Sequence, residues 1–140
     1  MTREESIKLL ALIKVAYPTA YKDMDDATKR ATVAMWHSTF QNVPYPIMEM
    51  AFEAFRRKSK YPPTVAEMFD EIKGLYYQSF EDLFKAKLAG NDEAIKRCQW
   101  VMKATSPYRG DDRAVNYDII PDNLLEQRET MMLEGGESDV

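Results

Sequence analysis

Two consecutive prolines, Pro62 and Pro63, followed by Thr64-Val65-Ala66-Glu67-Met68-Phe69, constrain this chain more than any other stretch. Each proline disfavours the helical region for the residue before it, so Tyr61 and Pro62 are extended. Thr64 then stands as a helix N-cap. Its hydroxyl oxygen accepts from the Glu67 amide, and the Glu67 carboxylate accepts from the Thr64 amide, which closes a capping box. A helix therefore begins here. Thr2 and Glu5 have the same spacing and open a first helix that Tyr17-Pro18 ends.

Helical periodicity fills most of the remaining sequence. From Ile7 to Ala16 apolar residues point in nearly every direction and only Lys8 and Lys14 are charged, so this helix must be sandwiched or must cover a partner. A second helix, near Asp25 to Asn42, carries small Ala27, Ala31, Ala34 and Met35 on one side and large Val33, Trp36 and Phe40 roughly opposite. Both stripes cannot easily face one core. A third helix starts near Pro46, where a missing donor costs nothing. It presents Ile47, Met50, Ala51, Ala54 and Phe55, widened by Met48 and Phe52, while Glu53 and Arg57 have the i, i+4 spacing of a solvated pair.

The helix from Thr64 buries Val65, Met68, Phe69, Ile72 and Tyr76. Ser79 and Asp82 suggest a new start, although the fourth helix can also run on through Tyr77. Phe80, Leu83, Phe84 and Leu88 form a further stripe, closed by Gly90 as a C-terminal cap. Asn91 or Asp92 caps a last helix with Ile95, Cys98, Val101 and Met102 on one stripe and Trp100 off it. The expected fold is all-α: a small bundle of about five or six helices, 140 residues being ample for one core, with a flexible acidic C-terminal tail.

The tail is set apart by charge. From Asp111 to Val140 nine acidic residues face two basic ones, a net −7, and the whole chain is −4, so residues 1–110 carry +3. An acidic tail repels nucleic acid and competes for the cations of the body, which makes a protein the better first partner and direct DNA binding weak or absent. Within the tail Tyr108, Ile119, Ile120, Leu124, Leu125, Met131, Met132 and Leu133 are interspersed with acids. Such a segment folds onto a partner or docks back on the bundle, and its apolar residues can align on a short helix at 122–133.

Catalytic and cofactor chemistry finds no support. The five glycines, Gly74, Gly90, Gly110, Gly135 and Gly136, never bracket a loop before Lys-Ser or Lys-Thr, so no Walker-type phosphate cradle exists. One cysteine, Cys98, and one histidine, His37, cannot make a clustered zinc site or an internal disulfide. His37 beside Trp36 reads as a boundary residue, and Cys98 on an apolar stripe as a small core residue. Asp25-Asp26 and Asp111-Asp112 fall at a helix start and in a linker, where acids act as caps or solvated charges. No apolar stretch approaches a membrane span and no signal segment opens the chain, so the expected location is the cytoplasm.

Two surface candidates remain in the body. Arg56, Arg57, Lys58 and Lys60, followed by Tyr61, form a basic cluster beside an aromatic ring. It can contact nucleic acid or an acidic partner, yet cations at a helix C-terminus are also what the helix dipole favours. Trp36, with Val33 and Phe40, is either an exposed interface anchor or part of the core.

The order of these pieces carries a resemblance. A short opening helix ending at Tyr17-Pro18, a second helix centred on Trp36 and Phe40 running into Pro44-Tyr45-Pro46, and a third leading into Tyr61-Pro62-Pro63-Thr64 together resemble the N-terminal domain of the helicase loader and inhibitor family of phages of Gram-positive bacteria. The resemblance covers about the first half, giving a helicase-loader-like domain at 1–77, additional helices at 78–105 and the tail at 106–140. It implies a protein that is not an enzyme, uses no cofactor or ATPase of its own, and binds the hexameric replicative helicase. It further implies that the helicase is held inactive and delivered to origin DNA through an origin-binding protein, with the C-terminal region gripping it. That analogy, joined to composition, puts the helicase contact in residues 106–133. The competing readings are a DNA-binding regulator using Arg56 to Lys60, and a structural adaptor in a phage assembly.

Overall fold

The computed structural model describes residues 1–110, among which the elements are five α-helices, one 3-10 turn and no strand. The described residues divide into two compact units, Met1–Lys73 and a second that begins at Gly74.

The first unit contains α1 (Arg3–Ala16), α2 (Asp26–Phe40), α3 (Tyr45–Arg56) and the opening turns of α4 (Val65–Ala89). Local chemistry sets the starts. Thr2 and Glu5 form a reciprocal capping box at 2.8 and 3.1 Å. Asp25 caps α2 by accepting from the Thr28 amide at 2.7 Å. The hydrogen bonds from Thr28 hold the Asp25 carboxyl below its ordinary range, and the Thr2 amide does the same for Glu5. At α4 the Thr64 amide donates to Glu67 at 3.1 Å and the Glu67 amide donates to Thr64 Oγ1 at 3.2 Å, as the double proline requires. Pro44 precedes α3, whose second residue is Pro46, the position that tolerates a missing donor.

Helix α1 touches both α2 and α3. Leu9, Ile13, Phe40, Val43, Ile47, Met48, Ala51, Met68 and Ile72 are all excluded from water. Of the two stripes on α2, the large one turns inward: Trp36 and Phe40 are buried, while Ala27, Ala31, Ala34 and Met35 are exposed. The apolar area per residue decides this, since an indole and a phenyl bury far more surface than three methyl groups. Tyr17 closes one end of the unit. Its ring lies 6.4 Å from those of Phe52 and Phe55, and its hydroxyl donates to the Ser59 carbonyl at 2.9 Å, fastening the loop that leads to the prolines.

The new start suggested near Ser79 does not occur: α4 runs unbroken from Val65 to Ala89. Met68, Ile72, Tyr76, Ser79, Leu83 and Ala86 are all buried, and their spacing follows one continuous helical stripe. Ser79 is the small residue within that stripe and is not a cap. Gly90, at φ +64°, ends the helix in the left-handed conformation that glycine adopts without strain.

The described part of the second unit comprises the rest of α4, α5 (Asp92–Thr105) and the 3-10 turn Ser106–Tyr108. Asn91 caps α5 by accepting from the Ala94 amide at 3.1 Å. Tyr76, Leu83, Cys98 and Met102 make a buried cluster, with Phe80 and Ile95 packed against it. The 3-10 turn belongs to this packing, because Tyr77 Oη donates to the Arg109 carbonyl at 3.2 Å and the Arg109 guanidinium sits 5.8 Å from the centre of the Tyr76 ring.

Candidate partner-binding surfaces

The basic cluster lies where α3 ends. Arg56 Nε is 3.0 Å from Glu53, so the carboxylate expected to pair with Arg57 pairs one residue earlier. Both i, i+3 and i, i+4 neighbours lie on one helix face, and spacing alone does not choose between them. Lys58 Nζ is 2.6 Å from Glu71, whose side chain is only 13% exposed. Two of the four cations are therefore already neutralised. Arg57 and Lys60 make no ion pair among the described residues, and Tyr61 beside them is 77% exposed.

Trp36 does not belong to this surface. It is 3% exposed, with its ring 5.5 Å from that of Phe40, which in turn stands 4.9 Å from Phe69. The alternative of an exposed anchor is corrected to a core residue of the first unit. The second tryptophan, Trp100 on α5, is exposed at 45%.

The apolar stretch of α1 from Ile7 to Ala16 is covered on one side only. Leu9, Leu10 and Ile13 are buried, but Ile7, Leu12 and Val15 are exposed at 49, 40 and 79%. Next to this open side a cleft of about 200 Å³ runs between α1, the loop after it and α2, with Ile7, Leu10, Tyr21, Met24 and Val33 as apolar walls and Lys14 and Lys29 also lining it. Tyr21 is held at φ +61°, a conformation L-residues rarely adopt. No local pattern announces this cleft, because its walls are consecutive neither in sequence nor on one helix.

In the candidate contact segment Tyr108 lies in the 3-10 turn and is half-buried, and that burial raises the pKa of its phenol. Ile119, Ile120, Leu124, Leu125, Met131, Met132 and Leu133 lie outside the described residues. So does the helix expected at 122–133.

Cys98 is 5% exposed, and burial first of all, with the Asp82 charge adding to it, raises its thiol pKa. A buried thiol with a raised pKa is a poor nucleophile. At about pH 8 a maleimide should label Cys98 in the folded chain at least ~10-fold more slowly than in the urea-unfolded chain. Equal rates, followed by mass spectrometry, would contradict this burial. No group of three or more potential metal ligands gathers among the described residues. None of the described helices is long and apolar enough to cross a membrane.

Among the described residues the chain is all-helical, with exposed apolar and basic patches on its surface. Residues 1–69 match the family model for the N-terminal domain of a phage helicase loader/inhibitor, and this part of the chain is similar to that domain. Helicase loading and inhibition is a non-enzymatic accessory role in that family. Neither a curated protein nor a solved structure matches the chain.

Proposed function

We propose that this protein is a phage DNA-replication accessory factor that binds the hexameric replicative helicase in the host cytoplasm, holds it inactive and loads it at the origin without an ATPase of its own. The match of residues 1–69 to the loader/inhibitor domain carries this reading. The helicase contact is assigned to Tyr108 and the apolar residues between Ile119 and Leu133, whose interspersed acids suit a basic surface. An origin-binding protein is the second partner. Co-elution of the full chain with the host or phage helicase, with and without ATP, tests the proposal by size-exclusion chromatography with light scattering. A stable complex whose mass gives the number of bound copies is expected, and no complex under either condition would refute it.

The competing reading, a DNA regulator using Arg56, Arg57, Lys58 and Lys60, loses ground to the pairing of Arg56 and Lys58 with glutamates. What remains there is Arg57, Lys60 and the exposed Tyr61 ring.

A further inference from the structure

One face of α5 is used neither by the core nor by the helicase reading. Cys98, Val101, Met102 and Thr105 are buried, and Ile95 packs against the same cluster. At about 100° per residue, Trp100 lies about 100° of arc from Val101 and about 140–160° from the others. Lys96 and Lys103 lie one turn to either side of it, and Arg97 flanks it within about 60° of arc. All four residues are exposed.

A single exposed aromatic is unremarkable on a protein surface. The charge around this one is not. Among the described residues Lys96, Arg97 and Lys103 make no ion pair, and the only acid on the same arc of α5 is Glu93, about one turn before Lys96 and Arg97 and about two turns before Trp100. The contrast is the cluster at Arg56 to Lys60, where two carboxylates are already in place.

We infer that the Lys96, Arg97, Trp100 and Lys103 face of α5 is a sequence-independent binding surface for single-stranded nucleic acid. The indole offers a stacking platform to one base, and the three cations meet the phosphates on either side. The composition of the face favours a nucleic acid over a protein. A docking helix needs several apolar anchors, whereas Trp100 is the only large exposed apolar residue on this arc of α5. A stacked base needs one ring and flanking charge. Nucleic-acid binding at this face is independent of the helicase reading, because α5 lies in the half of the chain that the family match does not reach.

The test is fluorescence anisotropy of a labelled oligo-dT of about 20 nucleotides titrated with the full chain. Binding near 10⁻⁵ M is expected at about 50 mM salt, the range of sequence-independent contacts. With about three phosphates engaged, raising the salt fourfold should weaken binding roughly 20-fold. Trp100→Ala should lose about tenfold, while Trp100→Phe, which keeps a ring, should lose about threefold or less. The double variant Lys96→Glu with Lys103→Glu should bind too weakly to measure, and Arg57→Glu with Lys60→Glu should stay within about twofold of the parent. Circular dichroism confirms that each variant is folded, since every substituted side chain on α5 is exposed. No binding at low salt would overturn the inference. So would loss of binding in the Arg57 and Lys60 variant with Trp100→Ala unaffected, or competition by polyglutamate as effective as by unlabelled oligo-dT, which would make the face a reader of acidic protein.

Discussion

Replacing Phe40 by alanine is expected to destabilise the first unit by about 3–5 kcal/mol, the range of a large ring removed from a closed core. Phe40 is the last residue of α2 and has no exposed surface. Its ring is 5.5 Å from Trp36 on its own helix and 4.9 Å from Phe69 on α4, so it joins the helix that precedes α3 to the helix that follows it. Truncation removes the transfer free energy of the ring and leaves a cavity that neighbours from separate helices cannot close together. The ring pairing that disappears on both sides adds to the deficit. Met35→Ala, on the exposed small-residue stripe of the same helix, should stay within about 0.5 kcal/mol. The measurement is urea unfolding followed by tryptophan fluorescence in a Trp100→Phe background, where the signal comes from Trp36 alone. A Phe40→Ala loss below about 1.5 kcal/mol would contradict the packing described.

The parts of this fold legible in the sequence are those decided within one turn of helix. Thr2 with Glu5, Asp25, Thr64 with Glu67, Asn91 and Gly90 each mark an end through hydrogen bonds or a backbone angle that involve residues no more than a few positions away, and each takes that role in the structure. What depends on more distant partners is less readable. Ser79 has the residue type of a cap, but the stripe from Met68 to Ala86 continues through it, and burying six consecutive stripe positions outweighs the preference of one hydroxyl for a helix start. Both stripes of α2 are visible in the sequence. Which one faces inward is not, because that depends on what α1 and α4 present to it, and of the two readings open for Trp36 the structure has the core. The cleft beside α1 is hidden for the same reason: Ile7, Tyr21 and Val33 become neighbours only after the chain has turned back on itself. The Trp100 face, by contrast, is written in the spacing of α5, and the structure adds only the burial of the opposite side.

Removing residues 111–140 is expected to lower helicase affinity by at least about 100-fold, equivalent to the loss of one strong interface anchor. The segment contains seven of the eight candidate contact residues, together with a net charge of −7 that would steer it to a basic surface. The cut belongs after Gly110, not before Ser106, because the turn at Ser106 to Arg109 is part of the second unit: Arg109 lies over Tyr76, accepts from Tyr77 and donates through its guanidinium to Ser106. A deletion from 106 would remove these interactions, and failure to bind would then be indistinguishable from a damaged body. With the cut at 110, the clusters around Phe40 and around Cys98 keep every partner named above. The truncated chain should therefore retain its helical circular dichroism and melt within about 4–8 °C of the parent, the shift that ~1 kcal/mol produces in a domain of this size. Full binding by the truncated chain would sink the assignment of the contact to the tail. A collapsed melting transition would instead identify Ile119 to Leu133 as core residues that dock back on the bundle. A protein that keeps its fold and loses the helicase would place the grip in the acidic segment, leaving the matched N-terminal domain free for a second partner.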